Sequence, residues 1–145
     1  MTTLLSSIVG ALIVLGVIIV IHEGGHFLMA KLFRVRVETF SVGFGPRLFG
    51  FRYGETDYRL SILPLGGYVK MSGENPGDDV TGDPNEFLSK PKWQRFLIAF
   101  AGPAMNGVLA VVLLTGLFMY GTEVPEALQG EARVDIVEEG SPAEA

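Results

Sequence analysis

Residues 4–26 read LLSSIVGALIVLGVIIVIHEGGH, and the interpretation of the rest of the chain depends on this stretch. Residues 4–21 form an apolar run without a charged side chain, and about eighteen such residues suit a helix that spans a bilayer. A secretory signal peptide is the alternative, but it requires a basic segment before the apolar core and a small-residue cleavage site after it. Nothing basic precedes this run and His22 follows it, so we expect a retained span whose helix continues to about Lys31.

The end of the apolar run has the pattern H-E-x-x-H, with Gly24 and Gly25 at the two variable positions. Because these glycines have no side chains, we expect them to leave room beside a metal for water or a peptide backbone. Residues four apart share one face of a helix, so His22 and His26 are expected to point the same way. Two imidazoles placed like this can hold Zn²⁺. Glu23 lies about 100° round the helix, within reach of a water molecule beside the metal. The pattern predicts His22 and His26 as metal ligands and Glu23 as the catalytic acid/base.

A pattern with only three fixed positions also arises by chance, and histidine on an apolar helix is often an ordinary core residue. Three observations favour a metal site. The chain has only two histidines, and both lie in the motif. The motif ends a segment of membrane-spanning length, where ionisable residues are expensive and usually functional. Glu23 adds an acid in apolar surroundings, which a purely structural role does not explain.

The composition of the chain excludes some classes of function. With a mean hydropathy of +0.38 and 48% hydrophobic residues, its 145 residues are apolar for a soluble domain. There are no cysteines, so disulfides and cysteine-based metal sites are excluded. The net charge of −5, without a basic patch interleaved with aromatic residues, argues against nucleic acid as a partner.

Basic residues are concentrated in the middle of the chain. All but one of the eleven Lys and Arg residues lie between Lys31 and Arg95, and the exception is Arg133. Loops on the cytoplasmic side of a membrane are enriched in Lys and Arg. We therefore predict that residues 33–92 are cytoplasmic and that both ends of the chain are extracytoplasmic.

Residues 33–71 are predicted to form a membrane-associated β-loop. Segments 35–42 and 58–63 are rich in β-branched and aromatic residues, which indicates two or three short strands. The aromatic residues either form a small core of their own or bring the sheet toward the bilayer beside the metal. In the second case an exposed strand edge could pair with an extended peptide. Turns are predicted at Gly43, Gly45-Pro46, Gly54, Pro64 and Gly66-Gly67.

The segment that follows, 72–92, is predicted to be a cytoplasmic linker that ends at the membrane interface. Residues 72–85 are rich in Gly, Pro and Asp and are expected to be solvated and mobile. Lysine and arginine then mix with aromatic residues around Trp93, a composition typical of an interface anchor.

Residues 93–120 are predicted to be a second membrane-spanning helix, because they include about twenty-five mostly apolar residues. Pro103 is expected to kink this helix and to free a carbonyl group. Asn106 is a polar side chain in a span and needs a partner inside the bundle. An ordinary kink and a packing asparagine explain these two residues equally well.

Four motifs occur in one order along the chain. They read HEGGH at 22–26, GFG at 43–45, PLGGYVKM at 64–71 and AGPAMN at 101–106. Together they resemble the bacterial site-2 protease family, the membrane-embedded zinc metalloproteases of the regulator-of-sigma-E-protease type. The fold class implied is a membrane α-helical protein with two transmembrane helices, residues 1–32 and 93–120. A cytoplasmic loop with a small β-structure joins them.

The resemblance also implies roles for residues. His22 and His26 would be zinc ligands and Glu23 the catalytic residue, while the strands of the loop would help to position substrate. Gly43, Gly45 and Asn106 are the further candidates for substrate positioning. Residues 121–145 would be the start of an extracytoplasmic PDZ-like domain that is not completed within the sequence.

The family cleaves single transmembrane segments of other membrane proteins in regulated intramembrane proteolysis. The resemblance therefore implies a multi-pass protein of the bacterial inner membrane. Its partners would be the lipid bilayer and a transmembrane substrate, either anti-sigma-factor-like or a signal-peptide remnant.

Two departures from the family pattern matter. Gly24 stands where the family usually has a bulky residue, and the family's third zinc ligand is an aspartate within an Asn-Pro-Asp-Gly motif of a later span. This chain has Asn-Pro-Gly-Asp at 75–78, which is scrambled and lies in the loop, so the role is not assigned to Asp78. We expect this sequence to be the N-terminal part of an enzyme and inactive alone.

Two alternative functions fit some of these observations. A non-enzymatic membrane scaffold or peptide-binding protein could use His22 and His26 only for helix packing. A metal transporter could line an ion path with intramembrane His and Glu. The transporter predicts more polar residues in the second span than Asn106 and Thr115.

Overall fold

The computed structural model describes residues 2–75 and 81–121, with side chains from residue 4 onward. Two compact units are present, Met1–Val112 and Leu113–Ala145, and the contacts discussed below lie within the first. The predicted PDZ-like segment 121–145, apart from Gly121, and Asp78 lie outside the described residues. The elements are helix α1 (Thr2–Leu32), strand β1 (Val37–Tyr53), strand β2 (Thr56–Met71) and helix α2 (Lys92–Tyr120).

Both helices are long and apolar enough to cross a membrane, and the candidate spans are Leu4–Leu32 and Lys92–Tyr120. The predicted architecture of two such helices with a small sheet between them is confirmed. The most apolar part of α1 buries none of its residues, and side chains such as Leu4 and Ile13 are exposed. A helix that is apolar all round and is not covered by protein has the composition of a membrane-spanning segment.

Helix α1 ends in a turn that leads the chain into the sheet. The N–H of Val35 donates to the carbonyl of Ala30 at 2.8 Å, and the N–H of Arg34 donates to the carbonyl of Lys31 at 3.0 Å. These are the two bonds of a Schellman motif, and Arg34 has the left-handed φ of 56° that this motif requires. Val35 and Ala30 are both buried, which supplies the apolar contact that accompanies the motif.

Strands β1 and β2 pair antiparallel in one sheet, and each doubles back within its own length. Residues 47–53 of β1 pair with residues 56–61 of β2. Residues 39–42 of β1 pair with two parts of β2, with 57–60 on one side and with 67–70 on the other. Four short segments therefore lie side by side, in the order 47–53, 56–61, 39–42 and 67–70.

Most of the glycines that predicted turns lie at the points where the strands reverse. Gly54 lies in the two-residue turn between the strands and has a φ of 60°. Gly43, Gly45 and Gly66 have φ values of 91°, 87° and 155°, but they fall within the bounds of β1 and β2. The strands are longer than predicted because each continues through these glycines, with register shifts in the pairing on either side of them.

A small apolar core joins the end of α1, the sheet and the start of α2. Its buried members are Ala30, Val35, Val37, Val69, Met71 and Ile98. Phe27, Phe33, Phe40 and Phe87 pack against it. The core thus fixes the end of β2 beside the part of α1 that carries the histidines.

The aromatic residues in the second half of β1 do not form a core of their own. Phe44, Phe49, Phe51 and Tyr53 are all exposed, although Phe51 stacks on Tyr58 with ring centroids 5.3 Å apart. Of the two alternatives for this aromatic cluster, a self-contained core is therefore wrong. The sheet instead presents an apolar aromatic surface.

Residues 81–86 of the predicted linker form a loop that is hydrogen-bonded around Glu86. This buried carboxylate accepts hydrogen bonds from the N–H and hydroxyl of Thr81, at 3.1 and 2.8 Å, and from the N–H of Gly82 at 3.1 Å. Asp83 accepts from the N–H of Asn85 at 2.9 Å. Thr81, Gly82 and Pro84 are exposed, as expected of a solvated linker, but side-chain acceptors bind the N–H groups of Thr81, Gly82 and Asn85. The mobility of this segment stays a prediction.

Candidate metal centre

His22 and His26 lie on one face of α1, and their ring nitrogens converge on Gly102 of α2. The two ring centroids are 5.0 Å apart, with the ring planes inclined at 77°. A Cβ atom at position 102 would lie 2.8 Å from Nε2 of His22 and would collide with Nε2 of His26. The missing side chain of Gly102 therefore leaves a space toward which both Nε2 atoms point.

The ring of His26 is oriented by the backbone of α2. Its Nδ1 lies 2.7 Å from the carbonyl oxygen of Ile98, so Nδ1–H donates to this carbonyl and Nε2 keeps its lone pair. Pro103 has no N–H, so the carbonyl of Ala99, the residue after Ile98, lacks its donor in the helix. The carbonyl predicted to be freed by Pro103 is thus adjacent to the one that His26 uses.

The ring of His22 is oriented by Asn106, also on α2. Nδ2 of Asn106 lies 3.0 Å from Nδ1 of His22, and Oδ1 of Asn106 is buried without a partner among the described residues. Nitrogen and oxygen of a side-chain amide have nearly the same shape, so hydrogen-bond chemistry decides which one faces the ring. With Oδ1 turned toward Nδ1–H, His22 would keep the lone pair of Nε2 for a metal.

Glu23 lies where α1, β2 and α2 border one pocket of about 300 Å³. The pocket is lined by Glu23 and His26 from α1, by Gly67, Tyr68 and Val69 from β2, and by Ile98 and Ala99 from α2. A Cβ atom at Gly67 would lie 3.0 Å from Cγ of Glu23. The backbone of β2 therefore passes directly beside the carboxylate.

Gly24 and Gly25 are both expected to leave room beside a metal, but their surroundings differ. A Cβ atom at Gly25 would collide with the carbonyl of Ala101 and lie 2.8 Å from Cγ of Met105, so α2 takes up this space. A Cβ atom at Gly24 would meet nothing within 4 Å. The expectation is wrong for Gly25, which serves the close approach of the two helices.

The two histidines fit a partial metal site. Both place Nε2 beside Gly102, and both have an Nδ1 within hydrogen-bond distance of a partner on α2, which is the arrangement of zinc-binding histidines. Among residues 2–75 and 81–121 there is no group of three or more His, Cys, Asp and Glu that could hold a metal. Catalytic zinc takes three protein ligands. The described residues thus offer two candidate ligands, His22 and His26.

Comparison with known proteins places these features in a family. The sequence profile of peptidase family M50 matches residues 10–139. The chain belongs to peptidase family M50. This is the site-2 protease family that the four motifs resemble, so that prediction is confirmed.

Relatives of this M50 chain carry the words zinc metalloprotease in their names. A protein of Thermotoga maritima is 39% identical over 94% of the chain and 26% of its own length. One of Clostridium perfringens is 46% identical over 77% of the chain and 32% of its own length. One of Brucella suis is 36% identical over 97% of the chain and 39% of its own length. The chain thus spans between about a quarter and two-fifths of these relatives.

The remaining predicted positioning residues of the M50 chain have different surroundings. Asn106 contacts a histidine of the motif rather than open pocket space. A Cβ atom at Gly43 would lie 2.7 Å from the carbonyl oxygen of Leu63, so Gly43 serves the reversal of β1. Neither Gly43 nor Gly45 lines the pocket at Glu23. Their role in substrate positioning stays a prediction.

Three residues that sequence reasoning did not assign are part of the site. The carbonyl of Ile98 accepts a hydrogen bond from His26, and Gly102 leaves the space that both Nε2 atoms face. Gly67 lies against Glu23. Gly67 and Gly102 belong to the PLGGYVKM and AGPAMN motifs, so the motifs contained the signal. Ile98 acts through its backbone carbonyl and has no sequence signal.

Proposed function

We propose that this chain is the zinc-binding part of an intramembrane metalloprotease that hydrolyses peptide bonds in transmembrane segments of other membrane proteins. Family membership supports a membrane metalloprotease, and regulated intramembrane proteolysis is the proposed context. The observation that carries the proposal is the convergence of both Nε2 atoms on Gly102, with Glu23 in the adjoining pocket.

The side chains of the motif divide the chemistry between them. His22 and His26 would hold Zn²⁺, which when bound polarises a carbonyl and lowers the pKa of water. Glu23 would take a proton from the attacking water and return it to the leaving amine. Ile98 and Asn106 would keep the two imidazoles in place during this exchange, which makes them positioning residues.

The edge of β2 is the proposed support for substrate. In the described sheet, residues 67–70 pair with β1 along one side, which leaves their other side as an edge. Gly67, Tyr68 and Val69 of this stretch also line the pocket that contains Glu23. A helical substrate must unwind before its carbonyls become accessible. Pairing with this edge would hold the unwound peptide beside Glu23.

The location of the site in the cell is part of the proposal. The concentration of Lys and Arg between the two candidate spans supports a cytoplasmic loop at 33–92 in the bacterial inner membrane. A third zinc ligand from outside the described residues would complete the metal site. Full-length protein is therefore the right material for every test of activity.

The test is Glu23→Gln in full-length protein reconstituted with a membrane protein that has one transmembrane segment. We expect cleavage to fall below detection while zinc, measured by mass spectrometry of the metal content, stays bound in the wild-type amount. Glutamine keeps the size of the side chain but cannot carry the proton.

Glu38→Gln is the matched control, because Glu38 pairs with Lys70 at 2.8 Å on the sheet and has no place in the chemistry. This control should cleave like the wild type. Retained cleavage in Glu23→Gln would refute the role of Glu23. Absence of zinc from the wild-type protein would instead support a non-enzymatic scaffold.

A further inference from the structure

A second pocket, of about 180 Å³, lies at the C-terminal end of α1 and shares no residue with the pocket at Glu23. It is lined by Lys31, Arg34, Val35, Arg36, Glu55 and Asn85. Three cations thus face one carboxylate. A concave site with this excess of positive charge favours an anion.

The three cations differ in how far they are already neutralised. Arg36 lies 3.6 Å from Glu55 and 3.3 Å from Asp83, so its charge is balanced. Nζ of Lys31 lies 5.8 Å from the ring centroid of Phe27. Within the described ranges, neither Lys31 nor Arg34 has a carboxylate partner. The net positive charge of the pocket therefore resides on these two residues.

Arg34 occupies a backbone position that favours glycine. Its φ of 56° is the left-handed conformation at the C′ position of the Schellman motif, where a side chain is sterically unfavourable. The fold would be served at least as well by glycine. A non-glycine residue held in this conformation motivates a functional explanation, and here the side chain is an exposed arginine at the wall of a pocket.

The two candidate spans end beside the pocket, which would place it among the headgroups of a bilayer. The candidate span of α1 ends at Leu32, and Phe33 contacts Trp93 at the start of α2, with ring centroids 5.4 Å apart. The ends of both spans therefore meet beside the pocket. Aromatic and basic residues at such ends are typical of the interface between acyl chains and water.

We propose that this pocket binds the phosphate of an anionic phospholipid headgroup, with Lys31 and Arg34 as its cationic ligands. The guanidinium of Arg34 suits a phosphate because it can donate two parallel hydrogen bonds. Leu28 and Leu32 lie one helical turn apart on α1 and are 64% and 69% exposed. They offer an apolar track for an acyl chain, which a soluble phosphate would not use.

The decisive variant is Arg34→Gly in detergent-solubilised full-length protein, with bound phosphatidylglycerol counted by native mass spectrometry. We expect its affinity to fall about tenfold, because a charge-assisted contact to phosphate is lost. The melting temperature should stay equal or rise, because glycine fits the left-handed φ. Arg34→Lys should lose less affinity than Arg34→Gly, because lysine keeps the charge but not the two parallel hydrogen bonds, and phosphatidylcholine should bind weakly to all forms.

Arg52→Gln is the matched control, because Arg52 is an exposed cation of the sheet outside the pocket. If Arg52→Gln lost as much affinity for phosphatidylglycerol as Arg34→Gly, the binding would be non-specific electrostatic attraction, and the proposed site would be refuted. Competition with inorganic phosphate distinguishes a phospholipid headgroup from soluble phosphate as the anion that binds. Displacement of the lipid by millimolar phosphate, or unchanged binding in Arg34→Gly, would also overturn the proposal.

Discussion

Asn106 of α2 lies 3.0 Å from Nδ1 of His22 on α1, so the second helix orients a histidine of the H-E-x-x-H motif. His26 is held from the same helix, through the carbonyl of Ile98. The motif on α1 therefore does not form a metal site by itself. Both of its imidazoles need α2 to fix Nδ1, the nitrogen that would face away from a metal held by Nε2.

The first prediction concerns the amide of Asn106. Asn106→Ala should weaken zinc binding by about 10- to 100-fold, because Nδ1 of His22 loses the partner that fixes its tautomer. Asn106→Asp should retain most of the affinity, because a carboxylate can only accept and therefore favours Nδ1–H. Competition with a calibrated chelator on full-length protein measures both values.

Equal loss in Asn106→Ala and Asn106→Asp would contradict the hydrogen-bond role. Wild-type zinc affinity in both variants, with impaired cleavage alone, would instead favour the expectation that Asn106 contacts substrate.

The second prediction concerns the space that Gly102 leaves beside the two histidines. Gly102→Ala should abolish zinc binding, because its Cβ atom would lie 2.8 Å from Nε2 of His22 and nearer still to Nε2 of His26. Gly107→Ala is the matched control on the same helix, where a Cβ atom meets nothing within 4 Å. The control should keep its zinc and gain up to about 1 kcal/mol of stability from the better helix former. Metal content and thermal unfolding of both variants decide the matter.

Helix periodicity explains why the sequence predicted His22, Glu23 and His26. Residues four apart lie on one face of any regular helix, so spacing alone brings the two imidazoles together. The partners of these side chains could not be found in this way. His26 and Ile98 are 72 residues apart in sequence, and only the packing of α2 on α1 unites them. A glycine such as Gly102 contributes empty space, which becomes visible once its neighbours are placed.

The β-loop shows where prediction from local signals reaches its limit. Glycine and proline predicted turns, and β1 does reverse near Gly43 and Gly45, but the strand continues through these points with shifts in its register. Whether a glycine ends a strand or bends it depends on partners elsewhere in the sheet. The role of Glu86 is not predictable for a related reason, since the sequence does not indicate which backbone donors a carboxylate in a polar segment will bind.

The third prediction concerns the contact between the helices. Gly25→Ala should destabilise the protein by about 1–3 kcal/mol, because the new Cβ atom would collide with the carbonyl of Ala101. Gly24→Ala is the neighbouring control, because a Cβ atom at Gly24 would meet nothing within 4 Å. Thermal unfolding in one detergent gives the difference. Similar melting temperatures for the two variants would mean that α2 does not approach α1 at Gly25.

The fourth prediction concerns the pH dependence of the loop around Glu86. Hydrogen bonds from Thr81 and Gly82 hold the pKa of Glu86 below its ordinary value of 4.5. Because the folded pKa is lowered, the carboxylate stabilises the loop fully at neutral pH. This contribution declines as the pH falls below 4.5 and is lost as it passes through the folded pKa.

Hydrogen exchange of the amides of Thr81 and Gly82 reports this change directly. We expect wild-type protection factors to fall on acidification below the ordinary pKa, after correction for the intrinsic pH dependence of exchange. Glu86→Gln should already have low protection at pH 7 and should lose little more in acid, because its amide does not titrate. Ser89→Ala removes only a 3.4 Å contact to Glu86 and should behave like the wild type. A wild-type loop that keeps full protection well below its folded pKa would show that the carboxylate does not hold these amides.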